Sequence, residues 1–406
     1  MEWLWISYKK LNKYKSDEFY DLWLKPIFFK AFNNRSQEID KLPKEIIEVV
    51  RNAPYLNGGL FRKNNLDNLK MEINDTLLQE VFEFFNKYNF TIKEDMPLDQ
   101  EVAVDPQMIG YVYESLACVA EEIYDRTDFG IFYTPKVEVD FMCRKSLVEY
   151  LSKHLPEIPK EKFYHLIFDL PEEKEKIEKY LDKDDYWHKL KYALDNLSIV
   201  DPACGSGAFL VGMLNILTEI YKMVYKHLKR NISDFEMKKR IIQYSLYGVD
   251  VMAWAIHAAE LRLWLQLIVE TDFKKEELRK HPLLPNLDIN LRIGDSLVQE
   301  IGGLTFNLRT NKGIKPHLRK ELDGLKQEKR KYLDNAPTAE FKNAEEIKDE
   351  EIRLFDNIID ERIECLETDI EVYTAEIGEQ KDEQNGLFGK VNKGMWLCGI
   401  RECGKI

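Results

Sequence analysis

The sequence is sparing with cysteine. Six occur in 406 residues, at positions 118, 143, 204, 365, 398 and 403, too few and too scattered for a disulfide-stapled secreted fold. Cys398 and Cys403 have no second ligand pair to go with them, so no metal site is expected. No apolar run approaches the roughly 20 residues of a membrane span. Tyr8-Lys9-Lys10 also interrupts the apolar start before it can read as a secretory signal. No Gly-Lys-Ser/Thr follows a glycine-rich loop, which excludes a phosphate-cradling P-loop. Positive charge is in deficit: 59 Lys+Arg against 72 Asp+Glu leave a net charge of −13. That rules out a uniformly basic nucleic-acid clamp, although a locally positive cleft stays open. The plain reading is a reduced, cytoplasmic chain with no membrane partner.

With 44% apolar and 32% charged residues the composition is that of a globular protein, and the length suits two or three domains. Residues 1–125 read as a helical N-terminal domain. Trp23, Ile27, Phe28 and Phe32 fit one helix face, and Leu77, Val81, Phe84 and Phe85 fit another, both expected to be core. Asp105-Pro106 would start a further helix carrying Ile109, Val112, Tyr113 and Leu116. From 126 to about 310 the pattern alternates. A loop, Asp128 to Pro135, leads into a helix. Leu197–Asp201 then reads as a buried strand before a glycine-rich turn and a helix to about Lys229. Tyr244–Asp250 is a second strand, followed by an Ala- and Leu-rich helix from Ala253 to Val269, and Leu287–Ile293 is a third. Strands alternating with helices imply an α/β fold with a parallel sheet and right-handed crossovers. Residues 311–385 read as an antiparallel helical hairpin. Leu318, Leu322 and Leu325 lie on its first helix, and Ile352, Phe355, Ile359, Ile363, Leu366, Ile370, Tyr373 and Ile377 form a heptad-like seam on its second. Residues 386–406 form an irregular tail.

The strongest chemical signal is Asp201-Pro202-Ala203-Cys204-Gly205-Ser206-Gly207-Ala208-Phe209, between a strand and a helix. Glycines at 205 and 207 let the backbone turn tightly and approach a ligand, at the strand end where open parallel sheets bind them. Leu210 stands where a dinucleotide fingerprint wants a third glycine. Other candidates are weaker. Glu172-Glu173-Lys174 and Glu346-Ile347-Lys348 match the loose Glu-x-Lys of nucleases but lie in charged helical sequence. His257 reads as a satisfied core residue of an apolar helix. Lys222, Lys226, Lys229, Arg230, Lys238, Lys239 and Arg240 read as a solvated basic face.

The string from Asp201 to Phe209 resembles motif I of the amino-methylating DNA methyltransferases, of the N6-adenine class in which the cofactor motifs precede the catalytic one. Phe132-Tyr133-Thr134-Pro135 is similar to that family's motif X, and Tyr247-Gly248-Val249-Asp250 and Gly294-Asp295-Ser296-Leu297 continue the match in order. The stretch before residue 125, with Pro54-Tyr55-Leu56-Asn57-Gly58-Gly59-Leu60-Phe61, looks like the segment preceding the methylase core of type IIG restriction–modification enzymes. The resemblance implies a Rossmann-like, S-adenosylmethionine-dependent core over 126–310. It makes Phe132, Tyr133, Thr134, Pro135, Asp201, Pro202, Ala203, Gly205, Gly207, Asp250, Val251, Met252, Asp295, Ser296 and Leu297 the cofactor-binding residues. Asp250 would accept from both ribose hydroxyls, Met252 would face the adenine ring, and Asp295 would accept from its amino group. Thr134 would hold the methionine carboxylate, and Asp201 would lie near the ammonium. The partner implied is double-stranded DNA.

The same family carries an Asn/Asp-Pro-Pro-Tyr/Phe motif that accepts the amine's protons and stacks on the flipped base. This sequence has no Pro-Pro dipeptide. Asn52-Ala53-Pro54-Tyr55 lacks the first proline and stands in the wrong order, so no catalytic residue is assigned. The hairpin looks like the insertion that separates Asp295 from that motif in type IIG relatives. The expectation is therefore the cofactor-binding part of a larger adenine-N6 methyltransferase, truncated before its catalytic motif and inactive alone. A half of a split enzyme completed by a second chain, or a non-catalytic helical interaction subunit, stay open as alternatives.

Overall fold

The computed structural model describes residues 2–11, 17–32, 44, 46–47, 73–87, 89–90, 103–104, 134–168, 171–268, 270, 287–297, 300–301, 304–305, 315–333, 336, 338–341, 346–361 and 363–364. The chain divides into two compact units, Met1–Gly294 and Asp295–Ile406.

The first unit begins with helix α1 (Glu2–Leu11), π-helical turns at Tyr20–Leu24 and Ile27–Phe32, and helix α2 (Asp75–Lys87). Trp5, Tyr8, Phe19, Trp23 and Phe82 bury together. Trp5 meets Phe19 edge-on at 5.0 Å between centroids, a geometry that aromatic quadrupoles favour. The buried Asp75 accepts a hydrogen bond from the Phe19 N–H (3.3 Å). Burial, together with a hydrogen bond to Asp75, pushes the Tyr8 phenol up to about 12. The expected core face of α2 is corrected: Phe82 is buried with Leu78 packed against it, whereas Leu77, Val81, Phe84 and Phe85 are exposed. The helix was legible and its rotation was not. Short strands β1 (Asn89–Phe90) and β2 (Ala103–Val104) pair in parallel. The helix expected after Asp105 and the string from Pro54 to Phe61 lie outside the described residues.

Helices α3 (Lys136–His154), α4 (Lys160–Phe168), α5 (Pro171–Leu181) and α6 (Tyr186–Asp195) lead into strand β3 (Ile199–Asp201). Helix α7 (Ala208–His227), helix α8 (Asp234–Tyr244), strand β4 (Leu246–Asp250), helix α9 (Ala253–Ile268) and strand β5 (Leu291–Ile293) follow. The three strands form one parallel sheet in the order β3-β4-β5, with Asp201 opposite Gly248 and Asp250 opposite Ile293. Because the order runs one way, right-handed crossovers put α7, α8 and α9 on the same face. The burial follows. Leu246, Gly248 and Leu291 are buried on that face, while Val200 on the other is 62% exposed. By length and composition α7 could span a membrane. Here Leu210, Val211, Leu214, Leu217, Tyr221 and Val224 make it the centre of the core.

Local chemistry fixes the ends of these elements. Ser233 Oγ accepts from the Glu236 N–H (3.2 Å) and caps α8. At the other end of α8, the buried Asn290 amide donates to the carbonyls of Ile242 (2.9 Å), Gln243 (3.0 Å) and Leu246 (3.0 Å). It thereby supplies partners that the last helical carbonyls lack.

The basic cluster is corrected in part. Lys238 is buried, bonded to Glu270 (2.9 Å). Lys222 pairs with Asp234 (2.6 Å) and Lys226 with Glu178 (3.2 Å). His227 lies flat on Trp187 at 4.2 Å, with its ring nitrogens 2.8 Å from Glu178 and 3.0 Å from Asp182. Burial acts to raise the Glu178 carboxyl, but hydrogen bonds from His227 and Lys226 outweigh it and hold the group below its usual range.

The second unit carries a short antiparallel pair, β6 (Glu300–Ile301) with β7 (Leu304–Thr305), and helix α10 (Pro316–Leu333). Residues 346–361 form a further helix, α11. Leu318 packs with Leu354 and Ile358. Ion pairs Lys315–Glu361 (3.3 Å) and Arg353–Glu321 (3.5 Å) run in opposite sequence directions, so the two helices are antiparallel. The seam is corrected in part: Ile347, Leu354 and Ile358 face inward and Ile359 and Ile363 are half-buried, while Ile352 is 59% exposed and Phe355 is also exposed. Leu366, Ile370, Tyr373 and Ile377 lie outside the described residues.

Two predictions follow from this packing. A depressed carboxyl stabilises the fold at pH values above its unfolded pKa, and that stability is lost as pH falls through the lower folded value. Glu178→Gln should therefore cost about 1–2 kcal/mol at neutral pH. The difference from wild type should vanish in acid, as read by denaturant melts across pH. In the hairpin, Ile358→Asp places a charge in apolar packing and should cost about 3 kcal/mol, speeding hydrogen exchange across 316–333. Ile352→Asp should leave those amides protected.

Candidate functional site

The site is built where β3 and β4 end. Parallel register puts Asp201 beside Gly248, and two residues on, Asp250 projects to the same face of the sheet. Between β3 and α7 the chain makes its tight turn. Gly205 (φ 51°) and Gly207 (φ 83°) both take left-handed conformations that L-residues resist. A Cβ at 207 would also lie 2.9 Å from the Ala259 Cβ.

Two hydrogen bonds hold the turn against the sheet, and a third closes it on itself. The Gly205 N–H donates to Asp250 Oδ2 (2.8 Å), the Cys204 N–H to the Val249 carbonyl (3.0 Å), and the Gly207 N–H to the Cys204 carbonyl (2.8 Å). From α9, the buried Arg262 donates to the Ser206 carbonyl (2.9 Å) and reaches Ser206 Oγ (3.4 Å). Asp250 Oδ1 also accepts from the Met252 N–H (2.9 Å). Each Asp250 oxygen thus holds a backbone amide and keeps a further lone pair.

Asp201 is less satisfied. Its Oδ1 accepts only a long bond from the Ala203 N–H (3.3 Å), and its Oδ2 is buried with no hydrogen-bond partner among the described residues. Burial is the main cause that raises its carboxyl above the ordinary value; the Ala203 bond opposes this and the Asp250 charge adds to it. The Cys204 thiol is pushed up to about 12 by burial and then by Asp201 and Asp250, so it is no nucleophile. An unsatisfied, desolvated carboxylate oxygen suits a cationic group, and an acceptor-rich carboxylate at the next strand end suits hydroxyls. Those are the donors of an ammonium-bearing nucleoside.

The structure brings Asp201, Pro202, Ala203, Gly205, Gly207, Asp250, Val251 and Met252 to neighbouring strand ends of one sheet. Thr134 and the N-cap Pro135 immediately precede α3, which packs against the first turns of α7. Val139 lies against Gly212 there, and the Cys143 thiol donates to the Phe209 carbonyl (3.6 Å). Phe132 and Tyr133 lie outside the described residues. Asp295, Ser296 and Leu297 fall in the second unit, where Asp295 Oδ1 accepts from the Leu297 N–H (2.9 Å). His257 is corrected: it is exposed rather than core and faces Glu260 at 3.4 Å. Both Glu-x-Lys strings are helical. Among the described residues no cluster of His, Cys, Asp and Glu could hold a metal. Sequence reasoning passed over Arg262 and Ala259. The available signal was an arginine three residues after an alanine, close to Glu260 and Gln266, in a largely apolar helix.

Residues 177–299 match the family described as MmeI, DNA-methyltransferase domain. The chain is 35% identical over 316 residues to "Putative type II restriction enzyme and methyltransferase RM.MjaORFECS2P" of Methanocaldococcus jannaschii, covering 75% of this chain and 25% of that protein. It is 33% identical over 113 residues to the Escherichia coli type II restriction enzyme and methyltransferase RM.Eco57I, covering 25% of this chain and 11% of that one. With DNA methyltransferase A of Bacillus subtilis it shares 21% over 246 residues, covering 59% and 23%. The chain thus spans a quarter or less of the length of these curated relatives. Residues 177–299 thus match the MmeI-type DNA-methyltransferase domain, and the chain is homologous to type II restriction–modification enzymes.

Proposed function

We propose that this chain is the S-adenosylmethionine-binding part of an adenine-N6 DNA methyltransferase in a cytoplasmic restriction–modification system. The observation that carries the reading is the buried Asp201 Oδ2, without a hydrogen-bond partner among the described residues, beside Asp250 at adjacent ends of a parallel sheet, under a turn where a Cβ at Gly207 would meet Ala259. Bound there, S-adenosylmethionine would supply an electrophilic methyl group.

The chain's own residues bind and orient. Asp201 holds an ammonium by charge, and Asp250 accepts from ribose hydroxyls while keeping Gly205 in place. The Met252 side chain offers an apolar face to a nucleobase. Gly205 and Gly207 leave room for close backbone approach. Phe132, Tyr133, Thr134 and Pro135 complete the amino-acid end, and Asp295, Ser296 and Leu297 read the base edge. The domain limits 1–125, 126–310, 311–385 and 386–406 belong to the same reading, with the helical hairpin as an insertion. The DNA partner is met through the complete enzyme. Turnover needs the Pro-Pro element that these 406 residues lack, supplied by linked sequence or by a second chain.

Two measurements test this. Asp201→Asn removes the charge that faces the ammonium, so affinity for S-adenosylhomocysteine in titration calorimetry should fall about tenfold. The same variant should melt higher at neutral pH. A carboxyl whose folded pKa is raised penalises the fold when ionised, and that penalty disappears as pH falls below the unfolded value. Equal affinity in variant and wild type would remove Asp201 from the site. The second measurement is transfer of a radiolabelled methyl group to mixed-sequence duplex DNA. The expected result is none by the 406-residue chain alone, and turnover once a polypeptide carrying Asn-Pro-Pro-Tyr is supplied. Sequence-specific labelling by the chain alone would overturn the inactivity.

A further inference from the structure

The glycines that open the turn also leave its conformation undetermined. With no Cβ at 207, the φ of that residue is little restricted, so the peptide unit joining Ser206 to Gly207 can swing on that side at little cost. Something outside the turn has to select one. In the structure both ends of that peptide are held. Its N–H donates to the Cys204 carbonyl (2.8 Å), and its carbonyl accepts from Arg262 Nη1 (2.9 Å). Arg262 also reaches Ser206 Oγ (3.4 Å), so one guanidinium grips two oxygens of the same residue. The residue is only 4% exposed, and burying a guanidinium is unfavourable unless such partners are provided. One turn back on the same helix, Ala259 lies against Gly207. Helix α9 therefore meets the turn at two consecutive inward positions, one as a stop and one as a clamp.

We infer that Arg262 is a positioning residue for the cofactor site, locking the Ser206–Gly207 peptide in the one orientation that presents the turn to its ligand. The inference rests on reading the turn as cofactor-binding. Arg262 itself touches no ligand and acts through Ser206. Lysine keeps the charge but not the planar fork, and so replaces it incompletely.

The experiment compares wild type, Arg262→Lys and Arg262→Met by S-adenosylhomocysteine titration and by peptide-resolved hydrogen exchange without ligand. Affinity should fall about tenfold in the methionine variant, with partial recovery in the lysine variant. Exchange should rise in the same order and be confined to 203–208. A rise spread over α7 and α9 would instead mean general destabilisation and would overturn the positioning role, as would wild-type exchange at 203–208 in a folded methionine variant. If Arg262→Met does not fold, Arg262→Lys decides alone: raised exchange confined to 203–208 supports the clamp, and wild-type exchange there overturns it. Failure of wild type to bind S-adenosylhomocysteine would sink the cofactor reading, and the exchange arm would still decide whether Arg262 holds the turn.

Discussion

The contact between Gly207 and Ala259 sets the spacing on which the rest of this region depends. A methyl group at 207 would lie 2.9 Å from another methyl, so the turn after β3 rests on α9 as closely as the backbone allows. That approach brings the Ser206 carbonyl within reach of Arg262, and the Gly205 amide lies within reach of Asp250 across the strand ends. Asp250 is therefore both a structural partner of the turn and a ligand-facing acceptor. Replacing it would disturb both roles, so Asp201, which bonds only one local amide, is the cleaner probe of the site.

The parts that were legible in the sequence are those written in short, local codes. Strands β3, β4 and β5 lie within the expected segments, because apolar runs ending in Asp or Gly have few alternatives. The turn was legible because glycine at 205 and 207 answers a backbone requirement that other residues meet poorly. What was misread is rotation. On α2, Leu77, Leu78, Val81, Phe82, Phe84 and Phe85 form two adjoining apolar stripes, and a 3.6 period fits either one. The buried stripe is the one with Phe82, selected by Trp5 and Phe19, which lie far away in sequence. Helix α11 poses the same ambiguity between Leu354/Ile358 and Phe355/Ile359, and contact with Leu318 resolves it.

Charge was legible only in total. A net −13 excludes a basic clamp, but it says nothing of where each lysine goes. Lys238 reads as surface from its neighbours, yet it lies buried against Glu270, and Lys191 bonds Asp195 four residues on. The buried pair is worth little as net stability, since its desolvation offsets most of the attraction. Removing one partner would still strand the other.

Asn290 has a consequence for the order of assembly. Its amide, buried just ahead of β5, donates only to carbonyls from the end of α8 and the start of β4. The backbone carbonyl of Asn290 accepts from the Gly248 N–H (3.0 Å) in the middle of β4. If β5 docked before α8 had formed its last turn, that amide would enter the interior with its donors unmatched. Pairing of the second and third strands is thus coupled to completion of the helix before them. Helix end, strand and neighbouring strand form one cooperative step, and the slow closure of a parallel pair is tied to a fast local event.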